Sequence, residues 1–363
     1  MAAGQAARGS ADRALDAMMI PKLDRSRLDW ESGVRALVST VAPLIVLASM
    51  GRLDLGIYAS FSAFTGLYGR GEPYGRRWLT LLVAALSLFS CVVAGAWVQS
   101  IGEPYWIVTL GLLAVIAAGV LLTSILQWIP RGAIFFVFAF LGCSMKPLGE
   151  ATLAEVVLVS SLSVGFAWVV GMSGFLLRLI PSVRDRLRPL NRTPARRIGA
   201  AWSRANVALI VISTLAALAS MGVASVTGVA AHQYWSAVTV VAIFSGPAAL
   251  VSFDRIGHRI VGTLVGVGVA AALLGGQSNQ VYLICVIAAC SFVTELVVAQ
   301  HYGLALAFIT PLALGATNLG LTQEWEALFV DRARETILGG LVCFVIVVLA
   351  RKYFERRGYE LPA

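Results

Sequence analysis

The chain has 363 residues, of which 58% are hydrophobic and only 13% charged, and it carries a formal net charge of +9 with a mean hydropathy of +0.83. Soluble domains carry roughly 25% charged residues, so this composition excludes a soluble globular domain; a polytopic membrane protein, whose solvent is lipid, hides no such surface. The basic excess invites a nucleic-acid reading, which its distribution along the chain excludes below.

Residues 1–32 are polar and of mixed charge, with no short apolar core and small-residue cleavage site of a signal peptide. They read as a cytoplasmic tail, with "ALDAMMIPKL" as a possible interfacial helix. Twelve apolar spans follow, near residues 33–50, 53–69, 78–99, 105–126, 131–147, 153–178, 202–222, 232–251, 260–276, 280–298, 302–320 and 335–350. A crossing takes about 20 apolar residues, so the second, fifth and ninth spans are short and are expected to be re-entrant or broken.

The Arg-rich segment 179–201, containing "PSVRDRLRPLNRTPARR", is the one substantial hydrophilic interior stretch. It divides a first six-helix repeat (33–178) from a second (202–350), and 351–363 forms a cytoplasmic tail. Six spans per half give both halves the same orientation, as parallel repeats about an axis along the membrane normal. Weak echoes run in the same order through both: Arg35 and Arg204 at spans one and seven, Tyr58 and Trp235 in spans two and eight, "RGEPYGRRW" and "FDRIGHRIV" opening spans three and nine. The expected fold is an all-α polytopic membrane protein.

With the N-terminus placed in the cytoplasm, 24 of the 28 Lys and Arg residues fall on cytoplasmic pieces, and only Arg52, Lys146, Arg332 and Arg334 fall outside. This alternation follows the positive-inside rule and explains the positive charge as membrane-surface anchoring. It places the chain in the cell membrane with both termini cytoplasmic.

The glycine-rich run "RIVGTLVGVGVAAALLGG" (259–276) lacks the Lys-Ser/Thr pair of a phosphate loop. Gly262 and Gly266, four apart on one face, read as a helix-packing surface. Five cysteines all lie in apolar runs without a CxxC pair, the three histidines 232, 258 and 301 are scattered, and no hydrolase or nucleotide motif is present. No enzyme activity, cofactor or metal is expected. The partners expected are the bilayer and a small organic anion, not nucleic acid, with self-association left open.

Ionisable groups inside a span are costly, by about 2.5–3.5 kcal/mol on insertion scales, and call for a reason. Glu295, in "CSFVTELVVAQHYG", reads as a protonatable coupling site, as a partner for a neighbouring Arg, or as a boundary carboxyl reaching headgroups; Glu155 and the Asp54–Arg52 turn read as surface groups. Arg76 and Arg77 in one half, with Asp254, Arg255, His258 and Arg259 in the other, form basic collars. If the halves are symmetric, these meet at a cytoplasmic mouth, where they either concentrate organic anions or simply anchor the protein. Pro43, Pro247 and Pro311 interrupt spans one, eight and eleven, and "AFITPLALGATN" offers Thr310 and Asn318 to a polar cavity. Trp97, Trp106, Trp128, Trp202, Trp235 and Trp325 fall near span ends, as in an aromatic belt.

"HQYWSAVTVVAIF", "FDRIGHRIVGTLVGVGVAAALL" and "TELVVAQHYGLALAFITPLAL" resemble the second repeat of the fusaric-acid-resistance-like (FUSC, aromatic acid exporter) family, and "DLGIYASFSAFTGLYGRGEPYGRRW" resembles the first repeat of its compact actinobacterial members. The resemblance implies an inner-membrane exporter of aromatic or other organic acids, related in its membrane module to plant malate channels. It directs attention to Glu295, Tyr302 and Pro311, and to Arg255, Arg259 and Gly262. His301 and Gln300 stand where members often have a basic residue and Asn, and the short linker stands where larger relatives carry a cytoplasmic domain. "DRIGHR" also approaches the span 2–3 signature of major facilitators, but Leu250 occupies its leading Gly and the first half has Glu72-Pro73. A passive anion channel and a scaffold for envelope assembly are the other readings.

Overall fold

The computed structural model describes residues 24, 28–184, 187, 189–196, 198–228, 233–246, 248, 250, 252–319 and 324–356. Among these, secondary structure is helical, with no strand. Helices of eight or more residues are α1 (Trp30–Ser49), α2 (Gly56–Ala63), α3 (Tyr74–Ser100), α4 (Tyr105–Leu126), α5 (Ile134–Ser144), α6 (Leu153–Leu177), α7 (Arg204–Thr227), α8 (Tyr234–Ile243), α9 (Asp254–Leu274), α10 (Gln280–Val297), α11 (Tyr302–Asn318) and α12 (Trp325–Arg356). Several of their starts carry side-chain caps. Asp29 accepts from the Ser32 N–H, Ser203 from that of Asn206 and Asn279 from that of Tyr282, while Thr152 and Glu155 form a reciprocal capping box at α6.

Eight of these helices are long and apolar enough to cross a membrane. The other four are α2, α5, α8 and α11, at 8, 11, 10 and 17 residues. The expectation of a short ninth span is therefore corrected: α9 is a full 21-residue helix, because the polar "DRIGHR" turn extends it backwards by helix-compatible residues that hydropathy had discounted. The eighth span is instead the short one, leaving helical geometry at Phe244 ahead of Ser245 and Gly246. Pro247 lies outside the described residues. Pro43 and Pro311 do not break their helices, since α1 and α11 run through them. The twelfth span also begins earlier than hydropathy indicates, so that Arg332 and Arg334 lie within α12.

The helix pairings recur at an offset of six. In the first half α1 packs on α2, α2 on α6, α3 on α5 and α6, and α4 on α5; in the second α7 packs on α8, α8 on α12, α9 on α11 and α12, and α10 on α11. The halves meet through α4 on α7 and α1 on α10 at the flanks, and through α5 on α8 and α2 on α11 at the centre. Every residue of α2 and α8 is buried, whereas the long helices expose large apolar side chains such as Leu86, Leu110, Leu162, Leu215, Val265 and Leu349. The short helices thus form an inner layer that the long ones wrap, and the outer apolar surface suits lipid.

Helices α1, α3, α5, α7, α9 and α11 begin at one end of the bundle, where α6, the linker and α12 finish; this is called the basal end, and the opposite end distal. Close approach of α9 to α11 depends on glycine. A Cβ on Gly262 would stand 2.5 Å from the Gly303 carbonyl oxygen, and one on Gly266 2.6 Å from that of Leu306. The equivalent contact between α3 and α5 is made at Gly95, against the Phe140 carbonyl.

Candidate functional site

The four short helices surround a cavity of about 970 Å³ between the halves. Its described lining comes from these helices, from α1, α9, α10 and α12, and from basal segments at 64–70, 129–131, 245–246, 248, 252–253 and 298–299, with none from the described residues of the distal loops. The cavity therefore opens basally.

Its two walls differ in chemistry. On the first-half side stand Phe61 and Phe64 from α2 and its following turn, and Phe135 and Phe138 from α5. Phe61 meets Phe138 edge-on at 4.7 Å between ring centres, and Phe64 meets Phe135 at 5.0 Å. Aromatic pairs of this kind present a rigid apolar face.

The second-half wall carries a cluster of guanidinium groups, beside the Asp254 and Glu295 carboxylates. Arg255, Arg259 and Arg332 line it together with Tyr302. The Arg259 guanidinium is 2% exposed and donates to the Tyr302 hydroxyl at 3.3 Å. Arg255 lies over the Tyr302 ring at 4.8 Å and donates to the Ala242 carbonyl at 3.2 Å. Arg332, from α12, is 1% exposed and lies 4.1 Å over the Trp235 ring. Arg255 Nε, Arg259 Nε, and Arg332 Nε and Nη1 are buried without a hydrogen-bond partner. Buried donors are nearly always satisfied in native proteins, and a guanidinium fork matches a carboxylate. These donors are free to accept an anion or ordered water as partner.

Glu295 and Arg70 occupy the basal rim. Glu295 sits near the end of α10, 8% exposed, and its carboxylate lies 3.3 Å from Arg70. Arg70 also donates to the Glu295 carbonyl at 2.5 Å and to Asp29 at 3.0 Å, joining the halves. Buried Arg35 of α1 faces the same cluster with Nε and Nη2 unpartnered. Outside the spanning helix, Asp29 feels burial, which alone raises a carboxyl; the Arg70 guanidinium and the Ser32 hydrogen bonds outweigh it and hold Asp29 below its ordinary value.

Of the residues singled out from sequence, Arg255, Arg259, Glu295 and Tyr302 meet at this cavity. Arg76 and Arg77 do not join them: Arg76 is exposed and reaches the Pro194 carbonyl at 3.5 Å, while Arg77 is buried on Glu31 at 3.0 Å. His301 caps α11, accepting from the Leu304 N–H through Nδ1 at 3.0 Å. Thr310 donates to the Leu306 carbonyl of its own helix and, with Pro311, packs inside the protein rather than in the cavity. Two supposed belt tryptophans, Trp128 and Trp235, are 1% exposed and belong to the core.

Sequence reasoning missed Arg332, which it left in an outer loop. The signal was there in "VDRARET": Asp331 and Glu335 are four apart and Arg332 and Glu335 three apart, a spacing that puts charged groups on neighbouring positions of one helix.

Residues 211–346 match the family described as fusaric acid resistance protein-like. This part of the second half is similar to the membrane domain of that family. The chain is also similar to the membrane protein YvaC of Bacillus subtilis (strain 168), 32% identical over 133 residues that make up 36% of this chain and 21% of YvaC. It thus spans about a fifth of that relative's length. No solved structure matches the chain. Arg255, Arg259, Glu295, Tyr302 and Arg332 all fall within the matched segment 211–346.

Proposed function

We propose that the chain exports amphiphilic organic carboxylates, aromatic acids foremost, across the cell membrane, as two parallel six-helix repeats bounded at 33–178 and 202–350. The observation that carries this reading is the pairing of a phenylalanine wall with a wall of partnerless guanidinium donors in one cavity. An aromatic body lies on the first and a carboxylate on the second. A volume of about 970 Å³ is at the upper end of the roughly 300–1,000 Å³ usual for small-molecule sites. The positive-inside count places the basal end in the cytoplasm, so the cavity draws its ligand from there.

Proton coupling is assigned to Glu295. Arg70 is its counter-ion and also lines the cavity. An anion that takes up Arg70 leaves Glu295 with Arg35 as its nearby cation, and a buried carboxylate whose pairing is weakened moves towards its protonated form. Anion and proton occupancy are thereby linked.

The test is efflux of benzoate from proteoliposomes with and without an imposed pH gradient. Saturable efflux whose rate follows the gradient is expected, with the gradient dependence flattened in Glu295→Gln. Full gradient dependence in that variant removes Glu295 from the role, and absence of flux for every aromatic acid removes the substrate class.

A further inference from the structure

Helices α9 and α12 bring their arginines to the cavity in the same sequence setting. "RIVGTLVG" (259–266) on α9 and "RARETILG" (332–339) on α12 share the spacing Arg-x-x-x-Thr-x-x-Gly. The last glycine of each lets its helix touch a short one. A Cβ on Gly266 would stand 2.6 Å from the Leu306 carbonyl oxygen of α11, and one on Gly339 2.7 Å from that of Ser236 on α8. Arg259 and Arg332 both line the cavity. The two runs differ three residues after the arginine: α9 has Gly262, packed on the Gly303 carbonyl, and α12 has Glu335.

Glu335 is fully buried. Its Oε2 accepts from the Ser236 N–H at 3.0 Å, in the first turn of α8, while its Oε1 is buried without a hydrogen-bond partner. Arg332 lies 4.1 Å over the ring of Trp235, the residue before Ser236, and its Nε and Nη1 are likewise without a hydrogen-bond partner. Residues three apart are neighbours on a helix surface, about 5–6 Å between Cβ atoms, and both side chains reach the same turn of α8. Free donors and a free acceptor thus stand side by side, unjoined. Each buried polar atom left so is costly, and the two costs are removed together when the groups meet.

We propose that Glu335 is an internal stand-in for the transported anion. When the cavity has emptied, its carboxylate leaves the Ser236 N–H and takes the free donors of Arg332; an arriving anion displaces it back to α8. The inference rests on the export reading above. Glu335 is a positioning residue, acting on Arg332 and not on the anion. A guanidinium buried at membrane depth and stripped of its anion is costly, and that cost falls on the empty protein as it returns to reload. With Glu335 on Arg332 the charge is paired during the return, so one-way efflux proceeds without an anion on the way back. Without it the return is slow, and anions cross mainly by exchange for one another.

The experiment loads proteoliposomes with radiolabelled benzoate and follows its efflux into benzoate-free buffer and into buffer containing unlabelled benzoate. The unsubstituted protein is expected to release label at comparable rates in both. Glu335→Gln keeps an amide oxygen for the Ser236 N–H but cannot neutralise Arg332. Its one-way efflux is expected to fall about tenfold, the lower end of what one charge-assisted hydrogen bond is worth, while exchange stays at the wild-type rate. Equal one-way and exchange rates in that variant, whether normal or slowed together as by a packing defect, overturn the stand-in. If the Gln variant does not fold, Glu335→Asp, whose carboxylate is one methylene shorter, decides: a few-fold fall in one-way efflux alone is expected, and equal rates overturn the proposal. Exchange without one-way efflux in the unsubstituted protein overturns the stand-in alone, since benzoate is still carried. Absence of both fluxes overturns the export reading, and the stand-in with it.

Discussion

Arg77 and Arg259 hold corresponding places in the two halves and live in opposite electrostatic surroundings. Each lies early in the third helix of its half, two residues after a glycine, and is 1% or 2% exposed. Arg77 is neutralised. It pairs with Glu31 at 3.0 Å, donates to the Glu72 carbonyl at 3.2 Å and lies over the Tyr74 ring at 4.5 Å. Arg178 shares Glu31 at 2.6 Å. The linker seals the same region: Arg192 pairs with buried Glu72 at 3.1 Å and its N–H donates to the Gly71 carbonyl at 3.0 Å. Among the described residues Arg259 bonds the Tyr302 hydroxyl and no carboxylate, and Arg332 on the same wall keeps Nε and Nη1 without a hydrogen-bond partner, though buried Glu335 lies one turn away. One scaffold thus serves two ends: charge pairing closes the first-half cluster, whereas the second-half wall keeps guanidinium donors without a hydrogen-bond partner among the described residues.

The largest expected effect follows from exchanging those fates. Arg259→Ala removes charge-assisted bonds worth about 1.5–3 kcal/mol each, so benzoate flux is expected to fall roughly tenfold to a hundredfold with an unchanged melting temperature. Arg77→Ala is expected to do the reverse, costing about 1.5–3 kcal/mol of stability through the charge-assisted bonds it removes, Glu31 keeping Arg178 as its partner, while flux per folded molecule stays near wild type. Paired flux and thermal-unfolding measurements check both. An Arg77→Ala protein that melts normally yet transports nothing would break the comparison.

A smaller effect tests where the halves are alike. Gly95 and Gly262 both let a long helix touch the backbone of a short one. Valine at either position overpacks that contact, at about 1–3 kcal/mol. Gly95→Val and Gly262→Val are expected to lower the melting temperature by similar amounts. A large drop from one alone would mean that the halves differ in their packing as well as in their charge.

What could be read beforehand follows the same division. Hydropathy located the long helices because apolar length is written directly in the sequence, and the collar at Arg255 and Arg259 was legible from its charge. The end of α8 was not, since "VVAIFSGPAAL" stays apolar after the helix stops at Phe244 and hydropathy does not distinguish helix from loop. Arg332 was misplaced for the converse reason. Its charged turn looks like an outer loop when counted against lipid, yet it faces protein. Nor does a sequence say which arginine has a carboxylate beside it. Arg77 finds Glu31, 46 positions away, only once the fold has formed.

The smallest expected effect lies at the basal seam, where Arg70 ties Asp29 of the first half to Glu295 of the second. Asp29→Asn keeps the cap of α1, because Asn caps as well as Asp, and removes only the charge that faces Arg70. The loss at pH 7 is expected to be about 1 kcal/mol. Its pH dependence identifies the cause. Despite burial, Arg70 and Ser32 hold the folded-state carboxyl below the ordinary 3.8, so between the two values the unfolded chain binds more protons and stability rises with pH. The wild-type advantage is therefore complete above about pH 4 to 5 and is lost as pH falls through the folded-state value. Thermal unfolding of both proteins over a series of falling pH should show a gap at pH 7 that narrows below the ordinary carboxyl range. A gap that does not narrow with falling pH would assign the effect to the cap, and would leave Arg70 held at the seam by Glu295 alone.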